Sequence, residues 1–119
     1  MITAFSKELV QKIDMIPFGA PVLHHFGSDD KLGYTLVQLI ETSNIIAHFV
    51  EETDDMYLDV FSCKEFNPEM VKTIVENYFR PRAVSCHLLV RQAPAVPGEL
   101  APSIVGFRPQ SGSAPPTLR

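Results

Sequence analysis

Short runs of β-branched and aromatic residues, separated by polar turns, make up much of the first ninety residues. Such runs predict strands wherever turn-forming residues bound them. They lie at residues 21–26, 33–40, 45–50, 56–61 and 83–90. Polar turn residues at 28–31 separate the two runs of the first pair, and polar residues at 51–55 separate the two runs of the second pair. The pattern therefore predicts two hairpins followed by a final strand.

A short helix is predicted near the start of the chain. Leu9, Val10 and Ile13 fall on one side of a helical turn, and Ser6 is placed to accept a hydrogen bond from the first free amides. Pro17 would end this helix. The helix is expected to be barely two turns long.

A second helix has a clear start at Asn67. An asparagine accepts from orphan amides, Pro68 suits the first turn, and Glu69 favours the positive end of the helix dipole. Apolar residues then recur at helical spacing until Pro81 stops the pattern. They are Met70, Val71, Ile74, Val75, Tyr78 and Phe79.

Strand pairs combined with amphipathic helices predict an α+β fold, a two-layer sandwich with an antiparallel sheet and helices packed on one face. The packed domain is expected to span residues 1–92. Residues 93–119 hold six of the ten prolines and show neither helical nor alternating apolar spacing. This composition predicts a disordered tail.

Charge and composition narrow the functional classes. The net charge is −4 and the Lys and Arg residues are scattered, which argues against a nucleic-acid groove. No apolar run reaches the roughly 20 residues of a membrane helix. Cys63 and Cys86 follow no apolar signal segment, so reduced thiols in the cytoplasm are expected. A core of this size leaves modest stability, which favours a homo-oligomer, most simply a homodimer.

Three residues are candidates for chemistry, although each has an ordinary structural explanation. Ser43 follows a buried strand, where serine is commonly a turn residue. His48 lies among apolar strand residues and could be a hydrogen-bonded sheet histidine. Cys63 follows the next strand and could be a small buried apolar residue. No metal site is predicted, because the pairs 24–25 and 86–87 are adjacent residues that point to opposite faces of a strand.

Taken together, these residues resemble prokaryotic S-adenosylmethionine decarboxylases. That family carries a serine, a histidine five residues later and a cysteine twenty residues after the serine, which are the separations of Ser43, His48 and Cys63. The acidic residue four after the histidine matches Glu52. The family's hydrophobic-Asp-hydrophobic-Phe-Thr/Ser-Cys run resembles residues 58–63, and the resemblance covers about residues 20–92.

The resemblance implies self-cleavage between Thr42 and Ser43. The serine hydroxyl attacks the preceding carbonyl, and elimination followed by hydrolysis leaves a pyruvoyl cofactor in place of Ser43. A ketone so placed can form a Schiff base with the amine of a substrate and accept electrons as CO₂ leaves. By resemblance, His48 serves as acid or base in self-processing, and Cys63 returns a proton to the substrate carbon.

The same resemblance implies two substrate-binding residues. Glu52 is expected to bind the ribose hydroxyls of S-adenosylmethionine, and Phe26 to stack on its adenine ring. The family's Glu-Ser-His at the cleavage point is Thr42-Ser43-Asn44 here. Its Trp-Pro before the acidic residue is replaced at residues 50–51. Two alternatives therefore stay open: a pyruvoyl-dependent decarboxylase of ornithine or arginine, and a non-processing relative that acts as a binding module.

Overall fold

A computed structural model of the protein describes residues 1–91; the predicted tail, 93–119, lies outside the described residues. Four strands and two α-helices form the described part, with a short 3₁₀ turn between the first two strands. Their bounds are α1 Ile2–Lys12, β1 Pro17–Phe26, the 3₁₀ turn Asp29–Lys31, β2 Gly33–Ile40, β3 Ser43–Val50, β4 Asp55–Ser62 and α2 Pro68–Phe79.

The strands form one antiparallel sheet in the order β1-β2-β3-β4, so each strand pairs with its neighbour in sequence. Both predicted hairpins are present, and β2 has its predicted bounds. Both helices contribute to the buried core on one face of the sheet. The predicted α+β fold with helices on one face of an antiparallel sheet is therefore confirmed.

The core lies between the helices and this face of the sheet. Every second side chain of each strand points into the core, because successive side chains of a β-strand point to opposite faces of the sheet. The most deeply buried apolar residues are Phe5, Leu9 and Val10 of α1, Leu36 and Ile40 of β2, Ile45 and Ala47 of β3, Met56 of β4, and Ile74 and Val75 of α2. Gln38 is buried among them, and its amide donates to the Gly19 and Leu39 carbonyls.

The prediction that Ser6 caps the first helix is wrong. The helix begins at Ile2, and Ser6 is fully buried inside it. Phe5 is also fully buried and packs edge-on against the rings of Tyr78 and Phe79, with ring centroids 5.7 Å and 4.8 Å away. Burial of an aromatic ring stabilises the helix by more than a cap does, which extends it toward the N-terminus.

The start of the second helix is as predicted. Asn67 is its N-cap, and the side-chain oxygen of Asn67 accepts a hydrogen bond of 2.9 Å from the Glu69 amide. At its other end Tyr78 contacts α1, where a hydrogen bond to the Glu8 carboxylate raises the pKa of Tyr78. Arg80 adopts the left-handed conformation just before Pro81, and the helix ends there.

The prediction of a last strand at 83–90 is wrong. This segment is irregular and pairs with none of the four strands in the described part of the chain. A strand needs a neighbour to receive its backbone hydrogen bonds, and apolar composition alone does not supply one. Leu88, Leu89 and Val90 are about half exposed, and Arg91 lies over the ring of Phe61 at 4.2 Å.

The face of the sheet opposite the helices, termed the open face, is rich in exposed apolar side chains. The register places them on alternate positions of all four strands: Phe18 and Val22 of β1, Leu39 of β2, Ile46 of β3, and Tyr57 and Phe61 of β4. Exposed apolar side chains grouped on one face of a sheet are typical of an interaction surface. Among residues 1–91, no helix has the length and apolar character needed to cross a membrane.

Candidate functional site

Ser43 begins β3, directly after a two-residue hairpin connection. Ile40 and Ser43 are paired across the hairpin, which leaves Glu41 and Thr42 as the loop. Two-residue loops favour positive φ angles within the loop, usually at Gly or Asn. Here Ser43 carries the positive φ, +150°. This region is almost confined to glycine and costs on the order of 1–3 kcal/mol, so backbone strain lies at the Thr42–Ser43 junction.

Cys63 lies beside this junction. It follows β4, whose last residue, Ser62, is opposite Ser43 in the register. The Cys63 backbone amide donates to the Thr42 carbonyl at 3.1 Å. The Cys63 side chain is exposed, which argues against its explanation as a buried apolar residue. The structure thus brings Ser43 and Cys63 together at the same end of the β3–β4 pair.

Side chains on both sides of the Thr42–Ser43 peptide bond are hydrogen-bonded. The Asn44 side-chain amide donates to Ser43 Oγ at 3.3 Å. The Thr42 and Ser62 hydroxyls are 2.7 Å apart, and both lie near the Met15 sulfur. The side chains of Ser43 and Thr42 therefore both have hydrogen-bond partners that hold them in place.

His48 lies away from Ser43. It is five residues further along β3, about 17 Å at the usual strand rise, and an odd separation places it on the opposite face. There the His48 Nδ1 atom and the Thr35 hydroxyl are 2.8 Å apart across β2 and β3. This pair lies on the open face, so the structure does not bring His48 to the serine of its own chain.

Glu52 and Phe26 lie at the end of the sheet remote from Ser43. Glu52 is exposed in the β3–β4 turn and lines a cavity of about 570 Å³ together with Asp29, Asp30, Leu32 and Glu51. Phe26 ends β1 opposite Gly33 and is 56% exposed. The two predicted substrate-binding residues thus share one end of the sheet, and Ser43 and Cys63 share the other.

Sequence reasoning did not predict two side-chain contacts of these regions: that of Thr35 with His48, and that of Thr42 with Ser62. The hairpin itself held a signal for the first. With a loop at residues 41–42, antiparallel register places Thr35 opposite His48. The contact between Thr42 and Ser62 had no such signal, because it depends on how β4 and the segment before β1 meet at the sheet end.

The fold and the site define an α+β sandwich with a strained serine at a hairpin and a cysteine beside it. The family model described as S-adenosylmethionine decarboxylase matches residues 1–92, and the chain belongs to this family. The resemblance noted in the sequence is thereby confirmed at the level of the family. Comparison with curated proteins and with solved structures gives no match.

Proposed function

We propose that this chain is a self-processing, pyruvoyl-dependent decarboxylase of S-adenosylmethionine, which supplies the aminopropyl donor for polyamine synthesis. The observation that carries the proposal is the junction itself: Ser43 has a strained φ of +150°, and the Cys63 amide donates to the Thr42 carbonyl. Membership of the S-adenosylmethionine decarboxylase family supports the same chemistry.

Self-cleavage begins with attack of Ser43 Oγ on the Thr42 carbonyl carbon. The new C–O bond forms an ester, the C–N bond breaks, and the hydroxyl proton passes to the released Ser43 amine. Negative charge develops on the Thr42 oxygen during this step, and the Cys63 N–H already points at that oxygen. Leaving the strained serine conformation adds to the driving force.

The ester then resolves by elimination. Loss of the Ser43 Cα proton and cleavage of the Cβ–O bond release the Thr42 carboxylate and leave a dehydroalanine. Its tautomer, an imine, reacts with water, releases ammonia and leaves a pyruvoyl group on the new N-terminus. That group supplies a carbonyl for substrate amines and accepts electrons as CO₂ departs. The exposed Cys63 thiol is the proposed donor of the proton that replaces CO₂.

We further propose that the working form is a homodimer. His48 and the pair Glu52 and Phe26 are too far from Ser43 of the same chain to serve one substrate with it. The open face, which carries His48, offers the exposed apolar surface that a second copy could cover. Each site would then combine Ser43 and Cys63 of one chain with His48, Glu52 and Phe26 of another.

S-adenosylmethionine is favoured over ornithine or arginine because the Glu52 carboxylate is exposed and lines an open cavity. A carboxylate accepts two hydrogen bonds from vicinal hydroxyls, which ornithine and arginine lack. The replacements at Asn44 and at residues 50–51 are the features that favour the amino-acid alternative.

Intact mass spectrometry of the purified protein tests self-processing directly. Cleavage after Thr42 divides the 119-residue chain into fragments of 42 and 77 residues. The fragments should separate only under denaturing conditions, because β2 and β3 lie on opposite sides of the cut and pair along their whole length. Ser43→Ala should remain intact. A wild-type chain that stays whole on prolonged incubation, with Ser43 unmodified, would exclude the enzyme and favour a binding module.

A further inference from the structure

The hydroxyls of Thr42 and Ser62 contact each other and the Met15 sulfur beside the scissile peptide. They lie 2.7 Å apart, and the Met15 sulfur is 3.4 Å from the Thr42 hydroxyl and 3.6 Å from the Ser62 hydroxyl. The Lys64 backbone amide donates to the Ser62 oxygen at 3.0 Å. Each hydroxyl has one proton, so one donates to the other and the second donates to sulfur.

These contacts attach Thr42 to the end of β4 at two points. The Thr42 side chain meets the Ser62 hydroxyl, and the Thr42 carbonyl receives the Cys63 amide. Two attachments to consecutive residues restrict rotation of the peptide plane between Thr42 and Ser43. The direction of the carbonyl then depends on a side-chain hydroxyl that takes no part in bond making.

The segments that flank the Thr42–Ser62 contact are themselves held in place. Met15 is only 6% exposed, so its sulfur is part of the core. Lys64 Nζ donates to both the carbonyl and a carboxylate oxygen of Asp14, at 2.5 Å and 3.0 Å. The segment before β1 and the segment after β4 are thus joined directly below the hairpin.

We propose that the Thr42–Ser62 hydroxyl pair is a clasp that positions the scissile carbonyl for attack by Ser43, and that Ser62 is a positioning residue for self-cleavage; this rests on the proposed function. Attack within a folded chain depends strongly on the alignment of the two reacting atoms, and small displacements slow it greatly. The clasp supplies that alignment, whereas the Cys63 amide stabilises the charge that develops.

The first test measures amide hydrogen exchange in Ser43→Ala, which cannot self-cleave. Adding Ser62→Ala should speed exchange of the Cys63 amide by about tenfold or more, because the Thr42 carbonyl that it donates to is released. The Glu51 amide, which donates to the Leu32 carbonyl at the other end of the sheet, is the control and should not change. Unchanged exchange at Cys63 overturns the clasp.

The second test follows the rate of self-cleavage in otherwise wild-type protein. Ser62→Ala should slow cleavage by about tenfold or more, with less of the ester that hydroxylamine cleaves. Ser62→Thr retains a hydroxyl and should restore the rate, and Ser28→Ala, at an exposed serine in a loop, should leave it unaltered. Thermal unfolding of each variant separates slow cleavage from loss of fold.

The outcomes distinguish the clasp from the function on which it rests. If the wild-type chain cleaves and Ser62→Ala cleaves at the same rate, the clasp alone is overturned. If Ser62→Thr fails to restore a rate lost in Ser62→Ala, the hydroxyl is not what matters and the clasp is again overturned. A wild-type chain that never cleaves overturns both proposals.

Discussion

Ser43 and His48 lie on the same strand but on opposite faces of the sheet, five residues apart. The separation is about 17 Å along β3, beyond the reach of an imidazole. His48 instead contacts the Thr35 hydroxyl on the open face. A single chain therefore holds the parts of the proposed site at separate places, and this separation is the basis of the proposed homodimer.

Complementation between two inactive variants tests this shared site. His48→Ala should not process itself, and Ser43→Ala cannot. When the two are unfolded together and refolded as a mixture, a His48→Ala chain can receive His48 from a Ser43→Ala partner. We expect the 42- and 77-residue fragments to appear in the mixture, up to about half of the His48→Ala chains. Each variant refolded alone is the control, and no cleavage in the mixture would contradict a shared site.

Cys63→Ala should separate self-cleavage from turnover. The alanine keeps the backbone amide that donates to the Thr42 carbonyl, so cleavage should proceed. The variant lacks the thiol that would donate the proton, so formation of the correctly protonated, decarboxylated product should fall by about 100-fold or more. Mass spectrometry of the chain and assay of the decarboxylated product measure the two steps. Full turnover in this variant would mean that Cys63 has only a structural role.

Glu52→Gln tests which substrate the site accepts. Loss of a charged hydrogen-bond partner costs about 1.5–3 kcal/mol, so kcat/KM for S-adenosylmethionine should fall by roughly one to two orders of magnitude. Activity on ornithine or arginine should barely change. Asp29→Asn, in the same cavity, controls for a general loss of negative charge. Wild-type activity on either amino acid without activity on S-adenosylmethionine would favour the alternative substrate class.

The capping hydrogen bond of α2 offers a prediction about stability that does not depend on function. Asn67→Ala removes the acceptor for the Glu69 amide and should lower the free energy of unfolding by about 1 kcal/mol. Asn77→Ala, at an exposed position within the same helix, should change it little or raise it slightly. Denaturant unfolding monitored by circular dichroism measures both. Equal effects would mean that Asn67 does not act as a cap.

Local patterns in the sequence were enough for most of the fold. Alternation and turn residues located the two hairpins, and the Asn67-Pro68-Glu69 start located α2, because these signals act within a few residues of the chain. The prediction that Ser6 caps α1 was wrong because burial of Phe5 decides where this helix begins. The prediction of a strand at residues 83–90 was wrong because a strand requires a neighbouring strand to pair with, which composition does not reveal.

The sequence by itself determined the spacing of Ser43, His48 and Cys63, and with it the resemblance to a decarboxylase family. Only the tertiary structure decided how these residues are grouped. Antiparallel pairing of β3 and β4 brings Cys63 back to the Thr42 carbonyl, whereas the two-residue period of the strand sends His48 to the open face. Linear spacing cannot distinguish these outcomes, because proximity depends on register between strands and on which face each residue occupies.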